Sequence, residues 1–162
     1  QDEKIVYKIK KDVKKSVEIP VIVKLTPNVD DIVRIARSAE NGGADGITAI
    51  NTLKALAIDI NMEKPILKNV YGGLSGRCIK PVALRCVYDI YKNVKIPVIG
   101  VGGIASPEDA IEFIMCGASL VGIGSAARDL NVFKNISEGI ENFLKKKNYT
   151  LKNIIGKATK NI

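Results

Sequence analysis

The most constraining feature of the sequence is a regular alternation of short apolar runs with stretches of helical spacing. Each run is rich in Val and Ile and is followed by a segment with the periodicity of an amphipathic helix. The runs are IPVIVKL from residue 19, ITAIN from residue 47, IPVIGVGG from residue 96 and SLVGIGSA from residue 119. Strands that are apolar throughout belong to parallel sheets covered by helices. The sequence therefore predicts an α/β fold with four parallel strands.

The segments between these runs predict helices, with one exception. The opening segment carries Ile5, Ile9, Val13 and Val17 four residues apart, which predicts an amphipathic helix with lysines on its other faces. The stretch between ITAIN and GGLSG at residue 72 predicts a longer loop instead. Helices are expected again before and after the last two runs and at the end of the chain.

One strand-and-helix unit is repeated within the chain. IPVIVKLTPNVDD from residue 19 resembles IPVIGVGGIASPED from residue 96, and GGADGITAI resembles CGASLVGIG at a nearly matching offset. A doubly wound sheet and a β/α barrel are the two common folds built from such units. Glycine turns after the last two strands favour the barrel, because its phosphate site usually follows strands seven and eight.

The turn after the third run predicts either an anion site or only a tight connection. In VIGVGGIASPEDA, from residue 98, two glycines follow a strand and precede Ser106, a plausible N-cap, and Pro107 at the first helical position. Bare backbone N–H groups beside a positive helix end suit a phosphate. The same glycines also suit a tight strand-to-helix turn, and the turn taken alone leaves both interpretations open.

Composition excludes several other classes of function. The 162 residues contain no histidine, and the three cysteines show no C-x-x-C spacing, so we expect neither a metal site nor a disulfide framework. The formal charge of +8 comes from lysines spread along the chain, and aromatic residues make up only 5%, which argues against a nucleic-acid partner. No run is long enough to span a membrane and the N-terminus lacks a signal-peptide core, so we expect a cytoplasmic protein.

Five stretches in order resemble the C-terminal half of the dihydroorotate dehydrogenases, most closely the cytosolic, NAD-linked type. They are VIVKLTPNVDDI, GADGITAINT, GGLSGRCIKPVALR, IPVIGVGGIASPEDAIEFIMCGAS and VGIGSA. The resemblance runs from about Gln1 to about Ala158. It implies a TIM (β/α)8 barrel, which takes about 250 residues. We therefore interpret residues 1–162 as the C-terminal half of one FMN-binding barrel domain, supplying four of its β/α units.

The resemblance also implies a reaction and its partners. It implies oxidation of dihydroorotate to orotate in de novo pyrimidine biosynthesis, with a hydride passing to FMN and a base removing the neighbouring proton. In the NAD-linked type that base is a cysteine in the N-terminal half, so we expect the isolated chain to be inactive. The expected partners are the N-terminal half-barrel or a second copy of the chain. An electron-transfer subunit carrying FAD and an iron–sulfur cluster is a further implied partner.

The family's roles carry over to nine positions of this sequence. Lys24 would lie near the pyrimidine edge of the flavin, and Ile50 would pack on the flavin ring. Asn51 and Thr52 would hydrogen-bond orotate, since an amide offers both a donor and an acceptor. The phosphate cradle would be formed by Gly76, Gly102, Gly103, Gly124 and Ser125. Relatives usually have Thr at the last of these positions, so Ser125 is a mild departure.

Other interpretations of the same residues remain open. Lys24 could be a surface lysine at a strand end, and Asn51 could cap the next turn. The chain could also belong to a related flavin enzyme that acts on another dihydropyrimidine. A third interpretation is a non-catalytic half-barrel that binds phosphates, which predicts the same glycine turns but no requirement for Lys24 and Asn51.

Overall fold

The computed structural model describes residues 2–160 and shows an α/β fold. Its strands are β1 (Ile22–Leu25), β2 (Gly46–Ala49), β3 (Leu53–Leu56), β4 (Ile58–Asp59), β5 (Lys64–Pro65), β6 (Tyr71–Leu74), β7 (Val98–Val101) and β8 (Leu120–Gly122). Its α-helices are α1 (Glu3–Ser16), α2 (Ile32–Asn41), α3 (Lys80–Tyr91), α4 (Pro107–Met115), α5 (Asn131–Lys147) and α6 (Leu151–Ile154). Short 3₁₀ helices occupy Arg77–Ile79, Ser125–Arg128 and Lys157–Thr159. No helix in this part of the chain is long and apolar enough to cross a membrane.

The predicted strands form one parallel sheet in the order β1-β2-β7-β8. In its register Lys24 lies beside Thr48, Thr48 beside Ile99, and Ile99 beside Leu120. Because all four strands run the same way, their carboxyl ends meet at a single edge of the sheet. The prediction of four parallel strands is confirmed.

The hydrophobic core lies between the sheet and the helices packed on one of its faces. Leu25, Ile47, Val98 and Phe113 are at most 1% exposed in this core, and burial of each such side chain stabilises the fold by about 1.5–3 kcal/mol. Gly100 of β7 completes the packing, since a Cβ there would lie 2.5 Å from the Phe113 ring. The close approach of α4 to the sheet therefore requires a glycine at this position.

The two helices that follow β1 and β7 each have a side-chain N-cap at their first turn. Asp31 Oδ1 accepts hydrogen bonds from the backbone N–H groups of Val33 at 2.8 Å and Arg34 at 3.2 Å. Ser106 and Asp109 form a reciprocal capping box at the start of α4. Each cap satisfies N–H groups that have no partner within the helix, which is why α2 and α4 begin where the sequence predicts.

Helix α1 forms as predicted, but its apolar stripe faces outward. The outward side chains are Ile5 (56% exposed), Ile9 (59%) and Val13 (41%). Val17, predicted in the same stripe, lies just past the helix in extended backbone and is 37% exposed. The helix packs against α2 through the opposite side, where Val6 contacts the core and Lys10 is buried. An amphipathic helix ordinarily packs through its apolar stripe. Here α2 supplies a neighbour on only one side of α1, and that side carries Lys10.

The stretch predicted as a longer loop contains two short antiparallel strand pairs. β3 pairs with β6, with Leu53 opposite Leu74, and β4 pairs with β5, with Ile58 opposite Pro65. These strands are two to four residues long, too short to produce a readable alternation of polar and apolar residues. The pairs bring the GGLSG segment back to the carboxyl edge of the main sheet.

Candidate functional site

A cavity of about 370 Å³ lies at the carboxyl ends of the parallel strands. Its volume falls within the range of small-molecule sites. Lys24 of β1 and the segments that follow β2, β6, β7 and β8 all contribute to its wall. Every residue singled out from the sequence lines it: Lys24, Ile50, Asn51, Thr52, Gly76, Gly102, Gly103, Gly124 and Ser125. The structure therefore brings these nine positions together, and the role of each remains a prediction.

Backbone hydrogen bonds extend the sheet into the cavity wall after β2. The Ile50 N–H donates to the Val101 carbonyl oxygen at 2.9 Å, and the Asn51 N–H donates to the Leu25 carbonyl oxygen at 2.8 Å. These bonds tie the segment to β7 on one side and to β1 on the other. Ile50 and Asn51 are thereby held on rigid sheet, close to Lys24 near the end of β1.

The side chain of Asn51 has its acceptor already engaged. Asn51 Oδ1 accepts a hydrogen bond from the Thr52 N–H at 2.8 Å. Its Nδ2 group donates to no other residue between 2 and 160 and is left as a donor toward the cavity. The Nδ2 group can therefore donate to an acceptor oxygen of a ligand, and the second lone pair of Oδ1 can still accept from a ligand donor.

Asn28, in the turn after β1, holds the segment that carries Asn51 and Thr52. Its Nδ2 donates to the Thr52 carbonyl oxygen at 3.0 Å, and its Oδ1 accepts from the Lys54 N–H at 2.8 Å. Sequence reasoning did not single out Asn28, although it lies in the VKLTPN motif. Its partners are 24 and 26 residues away, so no local pattern reveals this role.

The glycines of the site are required for different reasons. Gly102 and Gly103 have φ values of +137° and +78°, and a Cβ on either would lie within 2.8 Å of a neighbouring side chain. Gly76 has a φ of +95°, but a Cβ there would meet no atom within 4 Å. At Gly124, whose φ is −105° and ψ is −97°, a Cβ would likewise meet no atom within 4 Å. A ψ of −97° lies outside the regions favoured by residues with a Cβ, so the backbone conformation accounts for glycine at this position.

Two hydroxyl groups join separate turns of the cavity wall. Ser125 Oγ donates to Ser75 Oγ at 3.0 Å, which links the turn after β8 to the turn after β6. Ser75 lies in the predicted GGLSG segment, but sequence reasoning selected only the adjacent Gly76. The bond leaves the Ser75 hydroxyl hydrogen free to donate to a ligand in the cavity.

The charged residues that line the cavity are both cations. They are Lys24 and Arg77, and neither forms an ion pair with another residue between 2 and 160. The turn that precedes α4 also lines the cavity, so the positive N-terminal end of that helix lies near it. Arg77 was not singled out from the sequence, although it directly follows GGLSG. The cavity is electrostatically suited to an anionic ligand.

The cysteines lie outside the cavity wall. Cys86 is buried in α3 and Cys116 lies at the end of α4, and burial raises the pKa of both thiols. Cys78 is exposed and its Sγ lies 3.6 Å from the Ser75 carbonyl oxygen. Thiols with raised pKa values are poor bases and nucleophiles. Residues 2–160 contain no cluster of three or more His, Cys, Asp or Glu side chains arranged to hold a metal.

Comparison with known proteins decides the family. The family model for dihydroorotate dehydrogenase matches residues 1–144. The chain belongs to the dihydroorotate dehydrogenase family. Members of this family fold as TIM barrels, so the parallel sheet is part of such a barrel, as predicted.

Individual relatives of this family cover nearly all of the chain. It is 56% identical over 158 residues to the "Dihydroorotate dehydrogenase B (NAD(+)), catalytic subunit" of Methanocella arvoryzae, covering 97% of this chain and 52% of that protein. Proteins of the same name from Methanocaldococcus jannaschii and Pyrococcus horikoshii are 51% and 54% identical, with 98% and 99% of the chain covered. The chain spans about half the length of the curated relatives it matches, 52% and 54% in these two cases.

Proposed function

We propose that this chain carries the FMN phosphate site and part of the orotate site of an enzyme that oxidises dihydroorotate to orotate in de novo pyrimidine biosynthesis. The observation that carries the proposal is the single cavity lined by all nine residues matched to the family motifs. Family membership supports the substrate class, and the NAD-linked relatives support a cytoplasmic enzyme.

The chemistry of the cavity wall fits the phosphate of FMN. Gly76 and Gly124 leave open space where other residues would place a Cβ, so a phosphate can approach the backbone closely. The N–H groups of Gly103 and Ile104 form no hydrogen bond with an acceptor within residues 2–160 and are available as donors. Arg77 and the N-terminal end of α4 supply the positive charge that a phosphate requires.

Lys24 and Ile50 are suited to the flavin ring. A bound flavin supplies the hydride acceptor for this reaction. The ammonium group of Lys24 has no carboxylate partner among residues 2–160, so its charge is available to stabilise negative charge that develops on the ring. Ile50 lines the cavity, but it is only 2% exposed, so it would contribute a small apolar contact to the ring.

Asn51 and Thr52 are suited to the pyrimidine substrate. The engaged Oδ1 of Asn51 orients its Nδ2 as a donor, which matches a carboxylate or carbonyl oxygen of orotate. Asn28 fixes the backbone on which both residues lie. The geometry therefore favours recognition of the substrate by donation from the protein at this position.

The proposed activity requires the remainder of the barrel. The unpaired edges of the sheet carry Ile22, which is 51% exposed, and Leu120, which is 63% exposed, and the apolar stripe of α1 is exposed as well. These surfaces are suited to an N-terminal half-barrel, with a second copy as the alternative occupant. The relatives are named catalytic subunits, which supports a further electron-transfer subunit. We place FAD and an iron–sulfur cluster in that subunit.

Ligand binding in a completed barrel tests this proposal. The chain is co-expressed with the N-terminal half of the Methanocella arvoryzae relative, and FMN binding is followed by quenching of flavin fluorescence. Orotate is then compared with uracil and dihydrouracil for protection of the flavoprotein against thermal unfolding. We expect stoichiometric FMN and selective protection by orotate. Selective protection by uracil or dihydrouracil would instead support an enzyme for another dihydropyrimidine.

Two substitutions separate the enzyme from a non-catalytic phosphate-binding half-barrel. Lys24→Ala and Asn51→Ala are expected to weaken flavin and orotate binding, respectively, by about tenfold or more, the effect of losing one charged or neutral hydrogen bond. Lys152→Ala on α6 and Asn135→Ala on α5 are matched controls remote from the cavity. Binding that both site substitutions leave unchanged would contradict the proposed enzyme.

A further inference from the structure

We infer that Lys80 and Asp109 are positioning residues that fix two turns of the cavity wall against each other and thereby make the site selective for a phosphorylated flavin. This inference rests on the proposed function. Neither residue lines the cavity. They act through the turn that contains Gly76 and the turn that contains Gly102 and Gly103.

An ion pair connects the helices that follow these two turns. Lys80, the first residue of α3, places its Nζ 2.7 Å from Asp109 Oδ1 and 2.9 Å from Glu112 Oε2 on α4. The Asp109 side chain is 9% exposed, whereas that of Glu112 is 47% exposed. The pair with Asp109 is therefore the better shielded from water and the stronger constraint on the two helices.

The other oxygen of Asp109 determines the shape of the turn before α4. Asp109 Oδ2 accepts hydrogen bonds from the backbone N–H groups of Ala105 and Ser106, both at 3.0 Å. These two donors are therefore directed away from the cavity. The N–H groups of Gly103 and Ile104 remain for a phosphate, in positions that Asp109 fixes through the next two residues of the chain.

The turn that contains Gly103 packs directly against the start of α3 and the turn that contains Gly76. A Cβ on Gly103 would lie 2.8 Å from Lys80 Cβ and 3.0 Å from both the Lys80 nitrogen and the Gly76 carbonyl oxygen. The backbone of Gly103 thus lies directly against the start of α3 and the turn before it. A shift of Lys80 relative to Asp109 would change the separation of the two glycine turns that surround the proposed phosphate.

Charge balance gives the pair a second effect on the site. An unpaired carboxylate at the start of α4 would oppose the positive helix end and disfavour a nearby anion. The ammonium group of Lys80 compensates the charge of Asp109, so the carboxylate can shape the turn without repelling a phosphate. This compensation explains why a buried acidic side chain lies beside a turn proposed to bind an anion.

The test compares FMN with riboflavin, which lacks the phosphate. Both flavins are titrated into the chain completed with the N-terminal half of the Methanocella arvoryzae relative, for wild type, Lys80→Met, Asp109→Asn and Lys80→Arg. The readout is the ratio of the riboflavin dissociation constant to that of FMN. We expect Lys80→Met and Asp109→Asn to lower this ratio by about tenfold, equivalent to the loss of one charge-assisted hydrogen bond. For Lys80→Arg we expect a ratio close to that of wild type, since arginine can pair with both carboxylates.

A purely structural role predicts a different result. General loosening of the fold weakens both flavins equally and leaves the ratio unchanged. Glu112→Gln, which removes the exposed partner of Lys80, is the matched control and should leave the ratio within about twofold. If wild type prefers FMN strongly and Lys80→Met and Asp109→Asn keep the same riboflavin-to-FMN ratio, the positioning role is wrong but the phosphate site still stands. A wild-type ratio near one would overturn the phosphate site itself, and this inference with it.

Discussion

At the scale of single residues, Gly124 gives the sharpest test of the phosphate cradle. An added Cβ would meet no protein atom within 4 Å, but the ψ of −97° is sparsely populated by residues other than glycine. Gly124→Ala should therefore lower the free energy of unfolding by about 1–3 kcal/mol. It should weaken FMN binding by about tenfold in the completed barrel, because the new methyl group occupies space needed by the phosphate. Chemical denaturation and flavin titration measure the two quantities, and unchanged FMN affinity would contradict a phosphate at this turn.

Burial of the Lys10 side chain lowers the stability of the fold. It is 3% exposed and its Nζ has no hydrogen-bond partner among residues 2–160. Burial lowers its pKa, although Asp45 partly opposes this effect. We expect Lys10→Met to raise the free energy of unfolding by about 1–2 kcal/mol at neutral pH, because the buried charge is removed and the aliphatic contacts remain.

A matched lysine and a pH series complete the test of Lys10. Lys14 is partly exposed and pairs with Asp45 at 2.8 Å, so Lys14→Met should give no gain in stability. Because the folded pKa of Lys10 lies below its unfolded value, stability should rise as pH increases through that folded pKa. The rise should be absent in Lys10→Met. Thermal melts of wild type and Lys10→Met between neutral and alkaline pH measure this difference. The same change of stability with pH in the two proteins would contradict the explanation.

At the scale of elements, the start of α4 should control stability in acid. Burial alone would raise the pKa of Asp109, but hydrogen bonds from Lys80 and from the backbone N–H groups of Ala105 and Ser106 outweigh it and lower the pKa. A carboxyl with a lowered folded pKa stabilises the fold above its unfolded value of about 4, and this contribution is lost as pH falls through the folded pKa. Wild type should therefore lose stability below about pH 4 more steeply than Asp109→Asn. Parallel acid titrations followed by circular dichroism would show equal slopes if Asp109 made no such contribution.

The elements also show what the sequence can predict. The strands of the main sheet and their glycine turns were predictable because apolar strands and glycine turns are local patterns. The orientation of α1 was not, since helical spacing identifies an apolar stripe but not the neighbour that covers it. The roles of Asn28 and Lys80 depend on partners 24 to 29 residues away. Such contacts exist only after the sheet has assembled, so residue spacing alone does not reveal them.

At the scale of the whole molecule, the structure exposes surfaces that single domains normally cover. The α1 stripe, the β1 edge and the β8 edge present Ile9, Ile22 and Leu120, each at least half exposed. Unpaired edges and contiguous apolar patches favour association. We therefore expect the chain alone to self-associate, and we expect an added N-terminal half to replace this association with a one-to-one complex.

Native mass spectrometry with one surface variant tests this expectation. Ile9→Lys lies on the outward face of α1 and is 59% exposed, so it should leave the fold intact and weaken both kinds of association. Lys134→Ala, on the exposed side of α5, is the control and should leave both unchanged. The half-barrel interpretation would be contradicted if the chain were monomeric and did not bind the N-terminal half. Dihydroorotate-dependent reduction of FMN by the chain alone would contradict the expectation that the rest of the barrel supplies the base.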